Sequence, residues 1–286
     1  MDPRKLLSWL PFGRFREPRP LVSVLRLDGG IGPGGTLRRA LNIKSLAGPI
    51  ERAFQPRRLA AVALVVNSPG GSAAQSALIA RRIRQLADEK QVPVFAFVED
   101  VAASGGYWLA CAADEIYADE ASIVGSIGVI YAGFGFVELL DKLGVERRVH
   151  TAGTRKAILD PFQREKPEDV ELLLGMQADL HETFKDYVRT RRGARLKGGD
   201  ELYTGAFWTG RRALELGLVD GLGEIRGQLR ARFGEKVELR PVLRERRGLG
   251  RLLRPAGLDS EELAASFVAE LASQGEERLL WSRFGL

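Results

Sequence analysis

Apolar positions in the first half of the chain form short runs of strand length, separated by longer amphipathic stretches. Residues 21–27 alternate between apolar and polar side chains and are rich in branched ones, which predicts a strand. Residues 59–66 and 92–98 are continuous apolar runs, the pattern of parallel strands that are covered on both faces. The stretches 43–54 and 73–90 between these runs predict helices. Strands and helices are therefore expected to alternate from residue 21 onward.

The second half of the chain continues this alternation, with shorter strands and one long helix. The predicted elements here are strands at 115–118, 145–150 and 237–242 and helices at 136–143, 167–192 and 209–216. Pro167 opens the long helix and Gly193 follows its last residue, as is common at helix ends. Strands alternating with helices through residues 21–242 predict an α/β architecture for one domain.

Basic residues concentrate at the two ends of the chain, which has 286 residues and a net charge of +6. Residues 1–20 form a basic amphipathic leader, in which aromatic and leucine side chains stand beside the charges. This composition fits peripheral contact with an anionic membrane surface, and a frayed basic leader explains it equally well. Residues 243–286 are predicted to be a basic linker and a C-terminal helix, which packs on a partner subunit or a membrane, or stays a solvated tail. No aromatic-basic interleaving or reader motif is found, so nucleic acid is not an expected partner.

The chain shows no signature of a membrane span, a disulfide or a cofactor site. No segment reaches the roughly 18 apolar residues of a membrane span, and the first apolar run is too short for a cleavable signal. We therefore expect a cytoplasmic protein or one held peripherally at the inner membrane. The single cysteine, Cys111, excludes an internal disulfide. Neither metal-ligand spacing nor a glycine-rich nucleotide motif is found, so no metal or cofactor is expected.

Ser104 lies where the apolar run 92–98 gives way to a helix of small residues, predicted at 105–113. Amide groups at the start of a helix lack intrahelical acceptors and carry the positive end of the helix dipole, which suits a developing oxyanion. Serine is also a favoured N-cap residue, and by itself the position indicates a cap more strongly than a nucleophile. The paired glycines Gly70 and Gly71 follow an apolar run in the same way, and they permit either a close backbone approach to a substrate or a simple turn.

Histidine is a poor source of a general base in this chain. His181 lies on the long predicted helix among apolar residues, which indicates a structural role, and nothing local supports His150. The alternative is a neutral lysine. An ordinary lysine, with a pKa of about 10.4, is only about 0.04% deprotonated at pH 7, so such a lysine requires an apolar pocket. Lys156 lies in a loop after the predicted strand 145–150, where most lysines are exposed to solvent.

Five short motifs occur in a fixed order along the chain. They are Asn67-Ser-Pro-Gly-Gly71, Ala103-Ser-Gly-Gly-Tyr107, Gly125-Ser-Ile-Gly-Val129, Gly153-Thr-Arg-Lys156 with Pro161-Phe162, and the stretch from Gly210 to Asp220. Each is weak alone. In this order and with this spacing they resemble the signal peptide peptidase A family of serine peptidases, including its half-length and SohB-like members. The resemblance covers residues 21–222.

The resemblance implies a serine endopeptidase with a Ser-Lys dyad. The nucleophile of the family falls on Ser104, its general-base lysine on Lys156, and the serine that hydrogen-bonds the lysine on Ser126. The oxyanion hole falls on the backbone N–H groups of Gly105 and Gly71. The implied substrates are short, extended, apolar peptides, such as cleaved signal peptides or membrane-protein fragments, and no cofactor is implied.

The implied fold is the crotonase-like, Clp-protease-like α/β superhelix of strand-helix units, with the peptidase domain at 21–242 and a C-terminal helical appendage. Half-length members imply a homo-oligomeric ring or dome in which serine and lysine meet across a subunit boundary. The family commonly has an N-terminal membrane anchor and an aromatic residue before the lysine. This chain has the basic leader and Arg155 at those places.

Two other functions stay open from the sequence. A crotonase-type acyl-CoA enzyme uses the same fold and the same paired-glycine oxyanion logic, but it needs an acidic catalytic residue facing the hole, and none can be placed. An inactive peptide-binding scaffold, recruited to a membrane by its basic ends, would use the same turns without chemistry at Ser104. The fold alone does not choose among these functions.

Overall fold

A computed structural model of the chain describes residues 19–33, 40–242, 278 and 281–285. Most of the predicted leader (1–20) and C-terminal segment (243–286) lies outside the described residues. The strands are β1 (Leu21–Asp28), β2 (Leu59–Ser68), β3 (Val94–Ala103), β4 (Glu115–Ala118), β5 (Ile123–Gly125), β6 (Phe207–Thr209), β7 (Gly221–Leu222) and β8 (Glu238–Pro241). The helices are α1 (Ile43–Ala53), α2 (Ala73–Lys90), α3 (Gly105–Ala110), α4 (Val137–Leu143), α5 (Pro167–Arg192), α6 (Gly210–Glu215) and α7 (Ile225–Phe233), with 3₁₀ turns at Gly193–Arg195 and Gly199–Tyr203.

The strands of the described residues form one sheet in the order β6-β5-β3-β2-β1-β8, with β4 on β3 and β7 on β4. Neighbouring strands are parallel except β5 and β6. On the side away from β2, strand β3 is divided, because its first half pairs with β4 and its last three residues pair with β5. The strand that leads into Ser104 is therefore held on both sides as far as Ala102, and by β5 as far as Ala103.

Helices cover both faces of this sheet. On one face, α1, α2 and α3 bury a continuous apolar core, in which Trp108 stacks on Phe184 with ring centroids 4.6 Å apart. On the other face, Leu229 of α7 packs over Phe95 and Phe97, and Phe284 from the C-terminal segment packs near the end of β3. Fully burying one side chain of this size stabilises a fold by roughly 1.5–3 kcal/mol.

A buried ion pair holds the end of α5 against the core. The side chain of Arg192 is only 2% exposed, and its guanidinium donates to both carboxylate oxygens of Asp220 at 2.6 and 3.1 Å. It also donates to the Gly217 carbonyl. Burial raises the pKa of Asp220, but the hydrogen bonds and charge of Arg192 outweigh burial and hold that pKa below its ordinary value. Asp220 is therefore ionised at neutral pH and stays paired with Arg192 there.

A long segment between β5 and α5 has a different character. None of residues 128–183 is buried in the single chain. We call residues 128–166 the arm. Its internal contacts are local, since Arg147 pairs with Asp160 and lies 4.8 Å over the ring of Phe162. The arm exposes many large apolar side chains, namely Ile130, Tyr131, Phe134, Leu139, Leu143, Val145, Val149 and Phe162.

The structure corrects three predictions about individual elements. The strand predicted from the run 92–98 is longer than expected, because β3 continues as far as Ala103. The predicted strand at 145–150 is wrong, because these residues are exposed in the arm and pair with no described strand. The helix Ile225–Phe233 was not predicted, and it covers one face of the sheet.

Candidate active site

Ser104 occupies a strained turn between β3 and α3. Its backbone angles are φ 51° and ψ −121°, a combination that a residue with a Cβ rarely adopts. The surrounding hydrogen bonds hold this conformation, since the Ser104 N–H donates to the Gly125 carbonyl (2.8 Å) and the Trp108 N–H donates to the Ser104 carbonyl (3.0 Å). Strain of this kind persists only where the fold imposes it, and it concentrates at functional sites.

The hydroxyl of Ser104 does not act as a helix cap. At the start of α1, the Asn42 side chain accepts from the Ser45 N–H at 2.9 Å, and at the start of α2 Ser72 accepts from Gln75. Ser104 stands in the same position before α3 and accepts no such bond. Within the described residues its hydroxyl has no hydrogen-bond partner, and the residue is partly exposed. The cap interpretation is therefore wrong, and the hydroxyl is available to a substrate.

The Gly70-Gly71 turn lies directly against the turn that carries Ser104. Gly70 has φ +101°, and a Cβ built there would lie 2.8 Å from both the Ser104 Cβ and the Gly105 nitrogen. A Cβ on Gly105 would collide with the Ser76 hydroxyl. A side chain at position 70 would separate the two turns, and one at position 105 would displace Ser76 of α2. The spacing in the sequence did not identify Gly70 as the contacting residue.

Ile31, just beyond the end of β1, holds this glycine turn in place. The Ile31 N–H donates to the Gly70 carbonyl, and the Ser72 N–H donates to the Ile31 carbonyl, each at 2.8 Å. The Gly71 N–H donates to no acceptor among the described residues. The N–H of Gly105, the first residue of α3, has no intrahelical acceptor. Two backbone donors of the kind an oxyanion requires are therefore present beside Ser104.

Ser126 follows the end of β5 and lies next to Ser104. Gly125 pairs with Ala103, so Ser104 and Ser126 each follow one member of the same strand pair. Ser126 has φ 53°, is 6% exposed, and its N–H donates to the Ala206 carbonyl at 2.7 Å. Its hydroxyl has no partner among the described residues. The structure thus brings two free serine hydroxyls to one edge of the sheet.

Lys156 is not joined to these serines within one chain. It lies in the arm, its side chain is exposed, and its N–H donates to the Gly153 carbonyl at 3.3 Å. Among the described residues, no hydrogen bond or ion pair connects it to Ser104 or Ser126. His150 is also exposed in the arm. The single chain therefore assembles Ser104, Ser126, Gly71 and Gly105, but not the predicted base.

His181 and Cys111 keep the structural roles expected from the sequence. His181, on α5, places Nε2 3.2 Å from the Ile127 carbonyl, one residue beyond Ser126. Burial raises the pKa of the Cys111 thiol to about 11, so this cysteine is not a nucleophile near neutral pH. The sequence did not indicate that His181 contacts the loop that carries Ser126.

The arm also contains a cavity of about 380 Å³. Its lining includes Tyr131, Phe134, Leu159 and Arg164, and none of the five predicted site residues contributes to it. Among the described residues, no group of three or more potential metal ligands comes together. No helix in the described part of the chain has both the length and the hydropathy to cross a bilayer.

Comparison with known proteins identifies the family. The model of peptidase family S49 matches residues 86–239, which is more than half of the chain. A protein of Enterococcus faecium named putative signal peptide peptidase SppA is 30% identical over 186 residues, covering 65% of this chain and 54% of that protein. The chain therefore belongs to peptidase family S49, and the expected resemblance to the signal peptide peptidase A family is confirmed.

A second relative carries a different name. A Brucella abortus protein named Na(+)/H(+) antiporter NhaA is 51% identical over 287 residues, which cover 98% of this chain but only 39% of that protein. The chain thus spans about half, or less, of the length of these two relatives.

A solved structure confirms the fold class. The 1510-N membrane-bound stomatin-specific protease, a lysine-to-alanine mutant in complex with a substrate peptide, superposes with a TM-score of 0.50 at 14% identity, covering 89% of this chain and all of that one. The expected Clp-protease-like α/β architecture is therefore confirmed.

Proposed function

We propose that this protein is a serine endopeptidase that works through a dyad of Ser104 and Lys156. The observation that carries the proposal is the free Ser104 hydroxyl, held in a strained turn against Gly70 beside two backbone donors. Membership of family S49 favours peptide hydrolysis over acyl-CoA chemistry on the same fold. An N-cap serine would instead have bonded its own helix.

The proposed reaction begins when Ser104 Oγ attacks the carbonyl carbon of the peptide bond and its proton passes to the neutral amine of Lys156. The N–H groups of Gly71 and Gly105 stabilise the oxyanion, and Ser126 orients the amine. The tetrahedral intermediate collapses, the C–N bond breaks, and Lys156 returns the proton to the leaving amine. Lys156 then deprotonates a water, which attacks the acyl-serine carbonyl. As the ester C–O bond breaks, the proton passes from Lys156 to Ser104 Oγ, and the acid product leaves.

We infer that Lys156 reaches Ser104 from a second copy of this chain. The arm that carries Lys156 exposes Phe134 (76%), Ile130 (68%) and Leu143 (66%), and none of its residues is buried. Exposed apolar surface of this extent marks an interaction site. A second copy covering it would exclude water from the lysine loop, and an apolar environment lowers the pKa of a lysine amine. The active site and the arm would thus be completed by the same contact.

The proposed substrates are short, extended, apolar peptides, such as cleaved signal peptides or membrane-protein fragments. A relative is named a signal peptide peptidase, and a protease of the same fold has been solved with a substrate peptide. Assembly into a ring or dome, peripheral membrane contact through the basic N-terminus, and a cytoplasmic or inner-membrane location are parts of the same proposal.

Hydrolysis of a fluorogenic apolar peptide by Ser104→Ala, Lys156→Ala and a 1:1 mixture of the two variants tests the proposal. Each variant alone should lose activity by roughly 10⁴-fold or more, as when a catalytic unit is broken. Random pairing in the mixture should restore about one quarter of the sites, since one chain supplies serine and its neighbour lysine. Lys142→Ala, which removes another exposed lysine of the arm, is the matched control and should stay active.

Full activity in Ser104→Ala would reject the nucleophile. Loss in both variants without restoration, after subunit exchange has been verified, would reject a dyad shared between copies. A wild-type protein that hydrolyses none of several peptides would favour the acyl-CoA or scaffold alternatives.

A further inference from the structure

Strand β3 contains a bulge shortly before the nucleophile. Val98 of β3 pairs with Val66 of β2, but the next pair joins Ala102 to Ser68. Between these pairs β2 contributes one residue, Asn67, whereas β3 contributes the three residues 99–101. Two extra residues are thus inserted into β3 at the point where it leaves β4 and joins β5.

This bulge determines which residue after the end of β2 lies level with Ser104. With the observed register after the bulge, Ser104 lies level with Gly70. Without the two extra residues it would lie level with Ser72, displaced by about 6.6 Å at about 3.3 Å per residue. An even insertion also leaves side chains on their original faces, because strand faces alternate with a period of two. The bulge therefore brings Ser104 beside the Gly70-Gly71 turn without turning β3 over.

The side chain of Asn67 spans the bulge. Its Oδ1 accepts from the Val101 N–H at 3.2 Å, and its Nδ2 donates to the Asp100 carboxylate at 2.7 Å. The register shift places three residues of β3 opposite one residue of β2. Regular strand pairing therefore cannot provide hydrogen-bond partners for all of their backbone N–H and C=O groups. The Asn67 amide supplies the acceptor for Val101 and holds Asp100 at the same time.

Two other contacts brace the start of the bulge at Glu99. Arg26 donates to both carboxylate oxygens of Glu99, but these side chains are 53% and 41% exposed, and exposed ion pairs contribute little. Ser122 is buried, and its hydroxyl donates to the Glu99 carbonyl at 2.5 Å. Among the described side chains, only Asn67 hydrogen-bonds to both of the residues that directly precede Ala102. On the β2 side, the end of the bulge nearer to Ser104 therefore depends on Asn67, while β5 pairs with residues 101–103 on the other side.

We propose that Asn67 is a positioning residue for catalysis, which aligns Ser104 with the Gly71 and Gly105 N–H groups by holding the bulge of β3. The inference rests on the proposed function and deepens it. Asn67 does not touch the reacting atoms. Its removal should relax the register before Ser104 and lower kcat, while the apolar contacts that bind a peptide, and hence KM, change little.

Three variants test this role: Asn67→Ala, Asn67→Asp, and the exchange Asn67→Asp with Asp100→Asn. Asn67→Ala should lower kcat roughly 10- to 100-fold, the size of effect expected from a misplacement of about 1 Å. Asn67→Asp should do the same near neutral pH, because two carboxylates then face each other. The exchange should recover most of kcat. The amide introduced at position 100 then donates to the carboxylate introduced at position 67, and that carboxylate still accepts from the Val101 N–H.

The pH profile separates this role from a merely structural one. A proton shared between two facing carboxyls restores a hydrogen bond, so the ratio of kcat in Asn67→Asp to that of wild type should rise as pH falls. In the described part of the chain, Asp28 pairs with Asn67 in the sheet and Arg26 bonds both Asp28 and Glu99, and these three charged residues are unchanged in every variant. If Asn67 only contributed to stability, the ratio of variant kcat to wild-type kcat would not change with pH. It would also not recover in the exchange variant.

Kinetics, the rate of Ser104 labelling by a fluorophosphonate, and the thermal midpoint are measured for each variant, beside Ser104→Ala as the unlabelled blank. Gln85→Ala is the matched control, because it removes an amide that donates to the Glu89 carboxylate at 2.9 Å on the exposed face of α2. It should leave kcat and labelling unchanged.

Wild-type kcat in folded Asn67→Ala, with activity that still requires Ser104, would overturn the role of Asn67 and leave the proposed function intact. If Asn67→Ala does not fold, a folded exchange variant without recovered kcat overturns it. Activity that survives in Ser104→Ala overturns the proposed function, and the role of Asn67 falls with it.

Discussion

Two regions of the molecule differ sharply in how far the single chain buries their apolar side chains. We call the described residues in the ranges 19–127 and 184–242 the body. The body buries apolar side chains on both faces of its sheet, and the strand that leads into Ser104 is paired with β5. The arm, residues 128–166, buries none of its residues and presents Phe134, Leu143 and other apolar side chains to solvent. The body thus brings together Ser104, Ser126 and the N–H groups of Gly71 and Gly105 by itself. The arm carries Lys156 and lacks the surface against which it would pack.

The positions of Ser104 and Lys156 in the proposed site would therefore have different physical causes. The position of Ser104 follows from strand pairing, a bulge and glycine contacts, all of which form when one chain folds. The position of Lys156 would follow from apolar burial between copies, which depends on protein concentration. Perturbing the body should therefore change stability, and perturbing the arm should change assembly and activity at unchanged stability of the body.

The largest effect is expected from charges placed on the arm. The double variant Phe134→Glu with Leu143→Glu should lower peptide hydrolysis roughly 100-fold or more, because carboxylates buried in an apolar contact are strongly unfavourable. Size-exclusion chromatography should show single chains, while the thermal midpoint of the body stays close to that of wild type. Leu78→Glu, at an exposed leucine on α2 of the body, is the control and should leave assembly and activity intact. A monomeric double variant with wild-type activity would refute the shared site.

A smaller but clear effect on stability is expected in the body from Asp220→Asn. This change leaves Arg192, which is 2% exposed, without its counter-charge, and breaking such a buried pair costs about 3–5 kcal/mol. Urea or thermal unfolding should show the loss. Arg195→Gln is the control, because Arg195 bonds the same carboxylate but is 45% exposed and should contribute below about 1 kcal/mol. Equal losses in the two variants would contradict the role of burial.

The Asp220 carboxylate should also make the stability of the fold depend on pH. Because Arg192 holds the pKa of Asp220 below its ordinary value, the stabilisation is fully present above the unfolded pKa of about 3.9 and is lost as pH falls through the folded value. Wild type should therefore lose stability relative to Asp220→Asn below about pH 4. A difference between the two proteins that stays constant from pH 7 to pH 3 would contradict this.

The parts of the fold that were predictable from sequence are those with strong local patterns. The helix at 73–90 and the strand at 59–66 appear where expected, because an amphipathic period and a continuous apolar run each suffice without knowledge of neighbours. The strand expected at 145–150 failed for the converse reason. Its residues have strand-like side chains, but no described strand lies beside them.

The site was less predictable than the fold. The motifs pointed to Ser104, but its positive φ and the contact with Gly70 arise only from long-range packing. Glu99 and Asp100 lie beyond the apolar run 92–98 from which the strand was predicted, whereas the structure places them in a strand whose bulge is held by a side chain more than thirty residues earlier. Such a contact leaves no local pattern in the sequence, so the position of Ser104 relative to the glycine turn could not be predicted.

The smallest effect is expected at the junction of body and arm. His181 of α5 lies 3.2 Å from the carbonyl of Ile127, the last buried residue before the arm, and the bond tethers the loop that carries Ser126. His181→Ala should cost about 0.5–1.5 kcal/mol in stability and lower kcat severalfold, since the Ser126 loop loses one restraint. His181→Gln keeps a side-chain donor and should recover part of both. An equal fall of kcat in the two variants would show that the imidazole acts by its shape and not by donating to the Ile127 carbonyl. The hydrogen bond from α5 would then not restrain the loop that carries Ser126.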